Sequence, residues 1–340
     1  MSNARLTPNE ETSHVQASIN VERALEGRIQ QARGHYPQEK RGSQPRQHAG
    51  GYQALMMPCY HPIRLQLAGE LTVQVACGRC IGCRLDKSRD WATRCVHEAS
   101  LHEESCFVTL TYSDEKLPPG GSLRPRDFTL FMKRLRKARG SKLRFFHCGE
   151  YGERSGRPHY HALLFGVSFP DKRTCSRGDF PLYSSQELDK LWGLGTCTIG
   201  ALTHQSAAYC ARYVMKKVTG DLAPDHYRYT DPKTGEIHEL EPEYATMSRR
   251  PGIGSAWVHK YMDEVYYGDF VATKDGGQVP VPAFYDRELR KLDPDRYDRI
   301  KKKRYQRAMS PKERANSTPR RLAVREEVKK SAISQLRRKL

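Results

Sequence analysis

Two histidines one residue apart, His159 and His161, sit in the run GRPHYHALLFG, where a turn gives way to apolar residues. Side chains on a strand alternate between faces, so these imidazoles point the same way while Tyr160 points opposite. Two nitrogen donors on one rigid face can grip a metal. In a chain with 13 histidines such a pair also arises by chance, as core or surface residues without an ion. The preceding segment, KLRFFHCGEYG, reads as the other arm of a hairpin closed by the polar turn ERSG, and it ends near Glu150. A carboxylate across the turn would complete a three-ligand site with open positions. Mixed nitrogen and oxygen donors suit divalent manganese, magnesium or zinc. Glu153, in the turn, is the fallback third ligand.

A second constellation, YCARYVMKK, sets Tyr209 and Tyr213 four residues apart, one turn above the other on one helix face. Arg212 lies beside them, and Lys216 and Lys217 follow on the next turn. The tyrosines read either as amphipathic core residues with wet hydroxyls or as a pair of nucleophiles. A phenol of pKa about 10 attacks a phosphodiester only beside positive charge and a polarised electrophile. The third group is Cys77, Cys80 and Cys83, in C-x2-C-x2-C, with Cys59 upstream and His61 as its substitute. Four reduced thiols so spaced would make a structural tetrahedral zinc site; free thiols are the alternative. An iron–sulfur cluster is disfavoured, because no closely following cysteine and proline complete its pattern. Cys95, Cys106, Cys148, Cys175, Cys197 and Cys210 are scattered and read as small core or surface residues.

These groups need elements to hold them. CFVTLTYS (106–113) reads as a strand, and DKSRDWATRCVHEASLHEE before it as a helix. RPRDFTLFMKRLRKARG carries Phe128, Phe131, Met132 and Leu135 at helical spacing, with Gly140 as its stop. After the hairpin come a short helix in SQELDKLWG, a strand in GTCTIGAL and a helix in SAAYCARYVMKKV. This order predicts an α+β fold with a mostly antiparallel central sheet and flanking helices, covered on one face. The expected organisation is a flexible N-terminal arm (1–50), a cysteine-rich segment (51–103), a catalytic domain (104–275) and a basic C-terminal tail (276–340).

Charge points to the partner. The 340 residues hold 58 lysines and arginines against 39 acids, a net charge of +19. Such an excess suits a polyanion. From Asp286 onward the excess is 12 positive charges, in runs such as RIKKKRYQR that suit sequence-independent contact with a DNA backbone or form solvated helices. Tyr227, Tyr229, Tyr266 and Tyr267 are candidates for stacking on unpaired bases. No apolar stretch approaches the roughly 18 residues of a membrane span, so no membrane partner is expected. The opening MSNARLTPNEETSHVQ lacks the apolar core of a secretory signal, which points to a cytoplasm where thiols stay reduced.

RPHYHALLFG, with FVTLTYSDEKLP before it and YCARYVMKK after it, resembles the three ordered motifs of rolling-circle replication initiators of the HUH endonuclease superfamily. CGEYGERSGRPHYH and CGRCIGCR most resemble the initiators of microviruses, small single-stranded DNA phages, of gokushovirus type. The likeness spans residues 56–220 and leaves the arm and tail uncovered. It implies an HUH endonuclease-like fold with a ferredoxin or RRM-like core. It implies that His159 and His161 bind a divalent cation, Mg2+ or Mn2+, with Glu150 as third ligand. Tyr209 and Tyr213 match the alternating nucleophiles, and Lys216 the lysine three residues beyond. Arg157, Arg212 and Lys217 are the candidate DNA contacts around them. The implied activity is metal-dependent nicking and joining of single-stranded DNA at a viral origin in the host cytoplasm, through a 5′-phosphotyrosine, with host helicase and polymerase as partners. The competing reading is a zinc-stabilised origin or transcription regulator that binds DNA without cutting it. A mobilisation relaxase or transposase with the same core is a third.

Overall fold

A computed structural model describes residues 59–66, 72–140, 142–152, 155–177, 180–213, 223–231, 234–274 and 276–337. The expected N-terminal arm, Glu153, Lys216 and Lys217 lie outside the described residues. In chain order the elements are β1 (Ile63–Gln66), β2 (Thr72–Val75), α1 (Ile81–Ala99), β3 (Ser105–Thr111), α2 (Pro125–Arg139), β4 (Arg144–Tyr151) and β5 (Pro158–Phe165). Then come β6 (Arg173–Ser176), β7 (Leu182–Ser184), α3 (Gln186–Trp192), β8 (Cys197–Ala201), α4 (His204–Tyr213), α5 (Ala223–His226), β9 (Arg228–Thr230), β10 (Ile237–Glu239) and β11 (Tyr244–Met247). The C-terminal part holds α6 (Ser255–Lys260), α7 (Met262–Gly268), β12 (Val271–Ala272), β13 (Gln278–Val279), α8 (Ala283–Leu292), α9 (Pro294–Ala308), α10 (Pro311–Ala315) and α11 (Pro319–Arg337). The chain divides into two compact units, one of Trp91–Trp257 and one formed by the segments before and after it.

Trp91–Trp257 is an α+β unit around a seven-stranded sheet in the order β11-β4-β5-β3-β8-β7-β6. Every neighbouring pair is antiparallel. On one face, Val108, Leu110, Tyr160, Ala162 and Leu164 pack against the predicted apolar stripe of α2 and against Leu188 and Trp192 of α3. Pro125 opens α2 with its missing donor where none is needed, and Gly140, at φ 99°, ends it. The hydroxyl of Tyr160 accepts from the Arg124 N–H at 2.9 Å and donates to the Arg124 carbonyl at 3.0 Å, which pins β5 to the start of α2.

The opposite face is also covered, where the sequence suggested a single covered face. Trp91 of α1 lies 4.9 Å from Phe146, and Cys210 of α4 has its sulfur 3.5 Å from that of Cys148. The reason lies in β5. Tyr160 to Phe165 are all buried, so the strand is apolar on both sides and needs a layer over each. Helix α1 departs from expectation as well. It begins at Ile81, so Cys83 belongs to its first turn rather than to a loop, and it ends at Ala99 rather than among the acids that follow.

In the second unit, β1 and β2 form a hairpin, and the basic C-terminal region is built into helices. Arg304 of α9 bridges Asp269 at 2.9 Å and Asp286 at 2.6 Å. Two tyrosines proposed for stacking on bases are corrected here. Tyr266 is buried with its hydroxyl on Asp286, and Tyr227, in the other unit, is buried with its hydroxyl on Glu243. Tyr229 and Tyr267 are exposed. Among the described residues, no helix is long and apolar enough to cross a membrane.

Candidate active site

The β4–β5 hairpin pairs Glu150 directly with His159, and β3 pairs Thr109 with His161. Strand alternation therefore gathers Glu150, His159, His161 and Thr109 on one face, away from Tyr160. The Nε2 atoms of His159 and His161 converge on one carboxylate oxygen of Glu150, at 2.8 and 2.7 Å. The three ligand atoms lie within 4.8 Å of one another, close enough to hold one metal ion. Glu150 and His161 are buried at 2% and 1% side-chain exposure, whereas His159, at 16%, is the ligand open to solvent.

The rings are aimed from behind. The Nδ1 of His159 donates to the Arg157 carbonyl at 3.1 Å, which fixes the proton on that nitrogen and leaves Nε2 for an ion. The Nδ1 of His161 meets the Thr109 hydroxyl at 2.9 Å, and Phe107 stacks on its ring at 5.5 Å. Burial alone would raise the carboxyl of Glu150; the two imidazoles outweigh it and hold the group at about 2. It is thus an anion at neutral pH, as a cation ligand must be.

Tyr209 comes from the layer above. Thr203 and Ser206 cap the start of α4 reciprocally, each backbone N–H bonded to the other's hydroxyl. Small buried residues, Ala207, Ala208, Cys210 and Ala211, let the helix lie close on the sheet, and the Cys210 thiol reaches the His161 carbonyl at 3.6 Å. The Tyr209 hydroxyl then lies 3.4 Å from the His161 Nε2 and 3.5 Å from a Glu150 oxygen. Tyr213 is the last residue of α4, four positions on. The guanidinium of Arg212 lies 5.6 Å from the centre of the Tyr209 ring. Arg157 donates to Asp114 and to the Tyr112 carbonyl, both at 2.7 Å, which ties the hairpin end to the end of β3.

The family model of replication-associated protein ORF2 matches residues 105–218, the stretch that contains all of this geometry. The chain is 32% identical over 231 residues to replication-associated protein VP4 of Bdellovibrio phage phiMH2K, covering 65% of this chain and 69% of the relative. It is 35% identical over 246 residues to replication-associated protein ORF2 of Spiroplasma virus 4, covering 68% and 72%. The chain belongs to the microvirus replication initiators. It is also 31% identical over 170 residues to replication-associated protein ORF4 of Chlamydia phage 1, covering 46% and 41%. No solved structure matches it.

Two features of this initiator escape a reading of the sequence. Thr109 reads there only as part of a core strand; the signal is its polar side chain amid FVTL, on the face that pairs with His161. The second is a cavity of about 440 Å³ rimmed by Arg136, Lys142, Arg144, Arg249 and Arg250, at the far end of β4 from Glu150. Its cations come from three separate segments, and only the Arg249-Arg250 pair is visible locally. Cys59, Cys77, Cys80 and Cys83 form a second group able to hold a metal.

Proposed function

We propose that this initiator is a metal-dependent endonuclease and strand transferase of the HUH type, acting on single-stranded DNA at the viral origin. One observation carries the reading: the phenol of Tyr209 stands within 3.5 Å of ligand atoms on both His161 and Glu150, so nucleophile and metal donors share one pocket. His159, His161 and Glu150 would hold the cation, and two imidazoles with one carboxylate fit Mg2+ or Mn2+. When bound, that cation would neutralise charge on the phosphate under attack.

The chain's residues do the rest. The phenolic oxygen of one tyrosine bonds to phosphorus, the bond to the 3′ oxygen breaks, and a 5′-phosphotyrosine and a free 3′-hydroxyl result. Tyr213, one helical turn on, cuts the regenerated origin after a round of synthesis. The 3′-hydroxyl released in that cut attacks the first phosphotyrosine and closes the circle. Two nucleophiles on neighbouring turns let both DNA ends stay attached. The five-cation cavity takes backbone phosphates of the same DNA without reading its sequence. Arg212 and Lys217 add charge beside the tyrosines, and Lys216 stands where the family places its lysine.

Labelled oligonucleotides tiled across the encoding genome, incubated with the protein and manganese, test this on a denaturing gel. A shifted, protease-sensitive band that requires the cation is expected. Binding without any cleavage would favour the non-catalytic regulator instead.

A further inference from the structure

The cysteine group has no part in that chemistry, and its geometry is specific. The sulfurs of Cys59, Cys77, Cys80 and Cys83 lie within 4.8 Å of one another, and those of Cys77 and Cys83 are 4.0 Å apart. A disulfide would bring two sulfurs to about 2.05 Å. A tetrahedral ion with bonds of about 2.3 Å spaces them by about 3.8 Å. The observed spacing is that of thiolates around one ion, too tight for a multi-iron cluster.

The backbone is arranged for charged sulfur. The N–H of Cys77 points at the sulfur of Cys59 at 3.2 Å, that of Cys80 at Cys77 at 3.3 Å, and that of Tyr60 at Cys80 at 3.3 Å. Gly78, at φ 73°, makes the tight turn that carries the Cys80 N–H over the sulfur of Cys77. Among the described residues, the buried cluster of this segment consists of Cys59, Cys80 and Cys83, with Tyr60 and Cys77 packed against it. A segment with so small a hydrophobic core needs a staple. His61 is excluded as a ligand, since its side chain is 63% exposed and its Nε2 lies 2.7 Å from Glu326.

We propose that these four cysteines bind one structural Zn2+, which clamps the β1–β2 hairpin to the first turn of α1. Cys59 precedes the hairpin, Cys77 follows it, and Cys80 and Cys83 sit one turn apart where the helix begins. The ion therefore closes the hairpin's base and sets the start of α1 together.

Metal analysis of the full-length protein, purified under reducing conditions and dialysed, provides the test. The expected result is one zinc per chain, retained in an H159A/H161A variant and in H61A, and lost in C80S. Should C80S fail to fold, Co2+ replacement in the wild-type protein decides, with the intense thiolate-to-cobalt absorption of a tetrahedral sulfur site expected. Iron in place of zinc, a weak six-coordinate cobalt spectrum, or disulfides among these cysteines in the native protein would overturn the proposal. None of these readouts depends on DNA cleavage, so the zinc site and the nicking activity stand or fall separately.

Discussion

The hydroxyl of Tyr209 and the Nε2 of His161 are 3.4 Å apart although 48 residues separate them in the chain, and the contact crosses from helix to sheet. Their rings meet nearly at right angles, 82° between planes. The phenol edge is thus fixed beside the very nitrogen offered to a cation. Removing the hydroxyl should therefore remove chemistry and leave the pocket standing. We expect Y209F and Y213F each to retain a single covalent cut while failing to join a circle, and Y209F/Y213F to form no adduct. Adducts that persist in the double variant would refute the roles of both tyrosines.

Ligand aim should matter as well as ligand identity. Thr109 touches only the rear nitrogen of His161. T109V should weaken Mn2+ binding about tenfold while the fold persists, the usual cost of losing an outer hydrogen bond. H161A should abolish binding at the same concentrations. Calorimetric titration with Mn2+ distinguishes these cases, and equal affinities for T109V and wild type would show that the hydroxyl does not orient the ring.

Acidity offers a third check, on the metal-free protein. Glu150 is held at about 2 against an ordinary 4.5. A carboxyl depressed on folding stabilises the native state above its unfolded value, and that contribution drains away as pH falls through the folded one. Its size is on the order of 3 kcal/mol for a buried group. Urea unfolding between pH 5 and pH 2 should accordingly show a steeper decline for wild type than for E150Q. Parallel curves would mean that the carboxylate is not held by the imidazoles.

The basic cavity predicts a salt effect. Each cation taken away from a backbone phosphate should lower the slope of log affinity against log salt by about 1. R249A/R250A should therefore bind single-stranded DNA less tightly and with a slope shallower by about 2, while cleaving a bound oligonucleotide at the wild-type rate. An unchanged slope would place the DNA elsewhere.

The β4–β5 hairpin was legible because alternation and a polar turn are local signals, and the face shared by the two imidazoles follows from them. The stripe of α2 was legible for the same reason, with Phe128, Phe131, Met132 and Leu135 all buried. The sheet edges were not. Strand β11 joins β4 by pairing Thr246 with His147, some hundred residues away, and nothing in YATM announces that partner. Strand β6, RTCS, carries no apolar alternation at all and is held through its pairing with β7. The start of α1 was hidden by its cysteines, whose three-residue spacing suits a metal motif and a helical turn equally. The cations of the cavity could not be grouped from the sequence, since a fold had to bring Arg136, Arg144 and Arg250 together.

Glu150 and His159 face each other across paired strands, and this makes the pocket unforgiving of changes in length. One residue inserted between Gly149 and Glu150, or between His159 and His161, would swing part of the ligand set to the side occupied by α2. Lineages descended from this phage gene should therefore accumulate indels at the hairpin tip and almost none within its arms.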